Sequence, residues 1–207
     1  MSFTTARRRA MLACAAAFAA TAVLSGPAAA DDSTATGGCP VVPTVQPFTP
    51  WQDAADYFLA PDGGVEAGGA GWDVQGGATA VEGNEPFFVG GPADRMSMHL
   101  PTGAAATTAP VCVGIEHRTM RFFARGTGAG VLQVDAVYAK RTDREKSVQL
   151  GTIVADGTWA PSPVLPMRVN EIAPDFDNAL PVSLRFVARG EGAWQIDDVY
   201  VDPYRRG

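Results

Sequence analysis

The sequence predicts an all-β chain folded as a two-sheet antiparallel β-sandwich. Three observations point there: short runs that alternate apolar and polar residues, glycine and proline punctuation between those runs, and no convincing stretch of helical period. Alternation of period two marks strands with one face on a core and the other turned outward. Many such strands joined by frequent turns need a second sheet to bury their apolar sides.

Taken in order, residues 1–30 read as a secretory signal peptide. Arg7, Arg8 and Arg9 make a basic segment, Ala10 to Leu24 an apolar one, and Ala28 and Ala30 fill the small-residue positions before a cut. Arg8 and Arg9 followed by Ala-Met-Leu also loosely fit a twin-arginine leader. The expected localisation is secreted and extracellular. No other apolar run approaches about 18 residues, so no membrane association is expected after cleavage. Residues 31–38 are small and polar and read as a disordered arm, leaving residues 39–207 for one sandwich domain, expected to be a monomer.

Cleavage changes the charge. The full chain has 16 basic and 22 acidic residues; without the three leader arginines the balance is 13 minus 22, or −9. An acidic chain with no basic stripe does not suit nucleic acid. Cys14 leaves with the leader, so Cys39 and Cys112 have only each other in an oxidising compartment. A bridge closing so long a loop stabilises a fold by about 4 kcal/mol on the loop-entropy model.

Within the domain, Trp51 to Leu59 reads as a short helix, and the rest as strands. Met96, Met98 and Leu100 alternate with Arg95, Ser97 and His99. Phe122 and Ala124 alternate with Arg121 and Arg125, and Val182, Leu184, Phe186 and Ala188 with Ser183, Arg185 and Arg189. Turns fall at Pro61 to Gly64, Gly76-Gly77, Gly90 to Pro92 and Pro161 to Pro163.

One phrase occurs twice, "RFFARGTGAGVLQVDAVY" from Arg121 and "RFVARGEGAWQIDDVY" from Arg185. With a two-residue gap at Gly130 and Val131, 16 columns align and 11 are identical. Each copy reads as strand, Arg-Gly-x-Gly turn, strand. Folded as hairpins, the copies place Arg121 opposite Asp135 and Arg185 opposite Asp197, as charges on a solvated sheet surface. The even gap lengthens a loop without turning side chains to the other face.

"PDGGVEAGGAGW", Pro61 to Trp72, resembles the opening strand of jelly-roll carbohydrate-binding modules of the galactose-binding-domain-like group, with Val65 where phenylalanine is usual. "WQIDDVYV", Trp194 to Val201, is similar to their closing strand. The chain as a whole also resembles a secreted actinobacterial protein type, which implies no activity. The family resemblance implies a jelly roll, in which successive strands cross between sheets; the turns of the doubled phrase are then arches, and Arg185 and Asp197 lie on different sheets. It also implies a structural calcium ion joining the first and last strands, held by Glu66, Asp197 and Asp198. Oxygen-only ligation suits that hard cation.

The function expected is a secreted, non-catalytic binding module for a cell-wall or plant polysaccharide. A sugar needs an aromatic platform and a few planar polar groups. Trp51, Tyr57, Trp72 and Trp159 are the aromatics available for that role, Trp159 foremost because it sits in the turn-rich "DGTWAPSP". Trp194, beside Ile196, is expected in the core. The alternatives are a secreted structural or adhesion domain with a protein partner, and a glycoside-active enzyme using a carboxylate pair from Glu82, Glu85 and Glu116. His99 and His117 fit no zinc-spaced or nucleophile motif.

Overall fold

The structure, a computed structural model, describes residues 39–139, 144–173 and 179–203. The expected leader and arm lie outside these residues. In chain order the strands are β1 (Phe58–Leu59), β2 (Asp73–Gln75), β3 (Thr79–Glu82), β4 (Met96–Leu100), β5 (Ala105–Thr107), β6 (Val111–Val113) and β7 (Thr119–Gly126). They continue with β8 (Val131–Tyr138), β9 (Lys146–Val154), β10 (Ala160–Pro161), β11 (Leu165–Pro166), β12 (Leu180–Arg189) and β13 (Trp194–Asp202).

The strands form two antiparallel sheets. Sheet one runs β10-β7-β13-β4-β3, with β11 beside the start of β7 and β1 beside the end of β13. Sheet two runs β2-β5-β12-β8-β9, with β6 beside the start of β12. The period-two alternation sends Met98, Leu100, Phe122, Leu132, Val134, Phe186, Trp194 and Ile196 into one continuous core between them. Trp72 joins that core, its ring stacked 6.3 Å from Phe186.

The doubled phrase folds as two arches. β7 pairs with β13 in sheet one, and β8 with β12 in sheet two, so each copy gives one strand to each sheet. Crossing between sheets is the jelly-roll habit that the resemblance implies. An Arg–Asp pair survives, but between copies: Arg185 of the second faces Asp135 of the first, Nη2 to Oδ2 3.3 Å.

The two sheets use different registers. In sheet two Ala188 faces Leu132, whereas in sheet one the equivalent Ala124 faces Ile196, two residues further along. A bulge between Asp197 and Tyr200 then brings Arg121 opposite Tyr200. Arg121 is consequently paired elsewhere.

The segment from Cys39 to Tyr57 lies across the outside of sheet one as a strap. It is bonded to β6 through the Cys39–Cys112 disulfide, with a Cα separation of 5.6 Å. Phe48 and Tyr57 pack with Phe123 and Tyr200 into a second, smaller apolar cluster on that outer face. Arg121 is buried beneath it. Its Nη1 donates to Asp53 Oδ2 (2.8 Å), its Nε and Nη2 donate to the Ser162 carbonyl, and its guanidinium lies 4.4 Å from the Phe48 ring centre.

This corrects two expectations. Trp51 to Leu59 is not a helix: a 3₁₀ turn at Thr49–Trp51 ends at Gln52, which is left-handed (φ 62°), and Tyr57 then pairs with Val45. The charges of the doubled phrase are not all a solvated surface either. Arg121, Asp135 and Asp197 are buried, Arg121 under the strap, Asp197 against the Glu85 loop, and Asp135 between the side chains of Gln133 and Arg185.

Candidate functional site

Two places on the domain concentrate chemistry. The first is built by the bulge in β13. Asp198 sits at φ 50°, a left-handed conformation that aspartate tolerates better than most residues. The bulge takes its side chain out of the core alternation, which Val199 resumes, and turns it toward the loops at Gly64 and Gly90, whereas the equivalent Ala136 of the first copy stays in the core. Asp198 is 1% exposed, and among the described residues no donor reaches either of its carboxylate oxygens.

Other acids surround it. Asp197 Oδ2 accepts the Glu85 N–H (3.1 Å), and its Oδ1 accepts the Asp198 N–H. Glu85 is itself buried, its two oxygens accepting the N–H groups of Phe87 and Val89. The carboxyls of Glu85 and Asp198 hydrogen-bond each other only if one of them carries a proton. A Cβ placed at Gly90 would overlap Asp94 Oδ2 and come within 2.9 Å of Asp198 Oδ1; one at Gly64 would come within 3.2 Å of the same oxygen. The two glycines thus leave room directly above Asp198 Oδ1. Glu66 closes the outer side, its Oε1 accepting the N–H groups of Arg95 and Met96 at 2.7 Å.

The electrostatics follow. Burial, then the charge of Asp198, pushes Asp197 up to about 9. Burial, then Glu85 and Asp94, pushes Asp198 up to about 7. Burial and Glu66 raise Asp94 as well. A nest of carboxylates with orphaned oxygens is costly without a cation. Its all-oxygen donor set fits calcium.

The three acids expected from the sequence, Glu66, Asp197 and Asp198, therefore do come together. Glu85 and Asp94 join them unforeseen. Both lie in the turn-rich stretch between β3 and β4, where no periodic pattern tells which acid points inward. A different group, Cys39 Sγ with Glu116 and His117, has donor atoms within 4.8 Å of one another, but that sulfur is committed to the disulfide.

The second place is the open end of the outer face of sheet one. Directly opposed residues on neighbouring strands share a face. Arg125 faces Gln195, Gln195 faces His99, and His99 faces Thr79. Trp159, one residue before β10, lies beside Arg125, whose guanidinium is 5.3 Å from its ring centre. These five side chains form one row across β10, β7, β13, β4 and β3. Four interstrand spacings make the row roughly 19 Å long.

Gln195 organises the row. Its Oε1 accepts from Arg125 Nε (2.5 Å), and its Nε2 donates to Ser97 Oγ (3.1 Å). A shallow groove of about 250 Å³ runs along it, lined by His99, Arg125, Thr127, Gly157 and Gln195. Phe87 and Phe88 stand exposed (43% and 50%) on the loop between β3 and β4, Phe87 against Trp51 at 4.8 Å.

The four expected platforms divide. Trp72 and Tyr57 are buried and present no face to a ligand, because the sandwich core takes one and the strap cluster the other. Trp51 is half-buried against Phe87 and Phe123. Trp159, half-buried, is the one that stands in the polar row. Arg125, Gln195 and His99 carry no local sequence signal of binding, since their alignment depends on pairings between strands distant in sequence. The outer face of sheet two offers Asp73, Thr107, Arg185 and Asp135 in a row with no aromatic, and its arginine is already paired.

The glutamates offered for catalysis sit in three settings. Glu82 is exposed on β3, Glu85 is buried under Asp197, and Glu116 lies beside His117 near the disulfide.

Two crossing arches between two antiparallel sheets define a β-sandwich of jelly-roll type. Neither a family model nor a curated protein matches the chain. The solved structures it is similar to are mostly carbohydrate-binding modules. One is the Clostridium thermocellum xylanase 10B with its CBM22-1 and GH10 modules complexed with xylohexaose, at 17% identity and TM-score 0.49, over 65% of this chain and 26% of that one. Another is a family 16 carbohydrate binding module-2, at 16% and 0.45, over 70% and 99%. A third is TmCBM61 in complex with β-1,4-galactotriose, at 15% and 0.40, over 69% and 96%. The match spans about a quarter of the xylanase chain.

Proposed function

We propose that this chain is an exported, non-catalytic module that binds a polysaccharide on the outer face of sheet one. The observation that carries this reading is the row Trp159, Arg125, Gln195, His99 and Thr79. It places an aromatic edge at one end of a line of planar donors and acceptors, on strands rather than on a mobile tip, which is what a chain of ring hydroxyls needs. A plant or cell-wall polysaccharide is the partner class.

In the same reading Asp197 and Asp198, with Glu85, Asp94 and Glu66, hold a calcium ion. When bound, the ion neutralises the buried carboxylates and ties the loops around Gly64 and Gly90 to β13. Its role is structural, because these acids lie under the loop and not in the row.

A second reading, an adhesion domain with a protein partner, draws on the exposed pair Phe87 and Phe88. Affinity electrophoresis separates the two. The wild-type protein is expected to be retarded in gels containing a xylan, galactan, pectin or cell-wall polysaccharide, with retardation weakened about tenfold in Trp159→Ala, from the loss of a stacking partner. Retardation by none of these, with capture of an envelope protein lost in Phe88→Ala, favours adhesion instead.

A further inference from the structure

The doubled phrase makes the same Arg–Gln contact on both faces of the sandwich. Arg125 Nε donates to Gln195 Oε1 on sheet one, and Arg189 Nε donates to Gln133 Oε1 (3.2 Å) on sheet two. Arg125 and Arg189 occupy the same column of the repeat, as do Gln195 and Gln133. What lies behind each glutamine differs. Gln133 Nε2 donates to both oxygens of Asp135 (2.9 Å each), the carboxylate that also pairs with Arg185, so the face of sheet two already carries an acid behind its glutamine, although among the described residues Arg189 itself makes no ion pair. Gln195 Nε2 donates to the neutral Ser97 hydroxyl.

Arg125 resembles Arg189 in its own bonding, but its row holds no carboxylate and sets Trp159 beside it. Among the described residues no ion pair engages it, and only its Nε makes a hydrogen bond. Asp156, which lines the adjoining groove with Arg125, is exposed and uses its Oδ1 to accept the Thr158 N–H. The two outer nitrogens of the guanidinium are left as a planar fork on the groove, beside Trp159 and two strands away from His99, the neighbour of Gln195. A fork of that geometry matches a carboxylate with two parallel charge-assisted hydrogen bonds.

From this asymmetry we propose that the row on sheet one recognises an acidic saccharide, with Arg125 clamping the carboxylate of a hexuronate and Gln195 and His99 reading the hydroxyls of the same chain. The inference rests on the saccharide-binding reading above and names its ligand class. General attraction does not explain such binding, because the chain carries a formal charge of −6 and repels polyanions overall.

The repeat supplies its own control. Polygalacturonate titrated into the wild-type protein at low salt is expected to bind, and to bind less at high salt. Arg125→Gln is expected to weaken binding about ten- to a hundredfold, the cost of losing a charge-assisted pair. Arg189→Gln, the same change on the opposite face, is expected to leave it unaltered. Both arginines are exposed, and an unchanged melting temperature confirms that each variant is folded. Equal affinity for neutral galactan and polygalacturonate, unmoved by Arg125→Gln, overturns the acidic ligand but leaves the saccharide reading standing. Equal losses in the two variants overturn the assignment to sheet one, and preference for a phosphate-bearing teichoic polymer overturns the carboxylate. Binding to no saccharide of either kind overturns the functional reading itself.

Discussion

Calcium at about 10 mM raises the melting temperature of the chelator-treated protein by about 5–10 °C. Extracellular calcium sites bind at about 10⁻⁴ to 10⁻³ M, and an ion at about a hundred times its dissociation constant stabilises the folded state by about 2.7 kcal/mol. At this chain length each kcal/mol moves the melting temperature by about 2–4 °C. The pH dependence has a definite sign. Asp197 and Asp198 titrate near 9 and 7 when folded against an ordinary 3.8, so between those limits the folded, metal-free chain binds more protons than the unfolded one. Its stability therefore falls as pH rises from about 4 to about 9, and the gain from calcium grows over the same interval. Asp198→Asn keeps the shape and suits the left-handed backbone, so it is expected to stabilise the metal-free protein at pH 8 and to abolish the response to calcium. A thermal melt that ignores calcium, in wild type and variant alike, removes the ion from the account.

Asp53→Ala destabilises the fold by about 3–5 kcal/mol, measured by denaturant unfolding. The change leaves the Arg121 guanidinium buried beneath Phe48 with only the Ser162 carbonyl to accept from it. Burial raises the Asp53 carboxyl, but the hydrogen bonds from Arg121 and Tyr57 outweigh it and hold the group below 3.8. Its contribution is therefore complete above that pH and is lost as pH falls through the folded value. The double variant Asp53→Ala with Arg121→Met removes both charges and is expected to recover most of the loss. If Asp53→Ala alone costs less than about 1 kcal/mol, the strap is not held by this pair.

The strands, the disulfide and the odd acid at Asp198 were legible in the sequence, because each depends on local alternation or on counting. The arches were legible only through resemblance. Turn residues such as Gly126 and Gly190 serve an arch as well as a hairpin, and nothing local says which sheet the next strand joins. The strap was not legible, since the outward positions of β7 look polar at Arg121 and Arg125, yet Phe48 and Tyr57 cover the first and leave the second open. Nor was the binding row. Its members come from residues 79, 99, 125, 159 and 195, and the two-residue register difference between the sheets decides that Gln195, not Ala193, stands opposite Arg125.

Where a saccharide lies on this domain is open to direct observation by amide and side-chain chemical-shift mapping of the labelled protein with an oligogalacturonate. Shifts of the Trp159 indole, the His99 ring and the Gln195 side-chain amide, with the sheet-two residues Gln133 and Arg189 unmoved, are the expected result. Shifts confined to sheet two, or none at any concentration of the oligosaccharide, would contradict a binding face on sheet one.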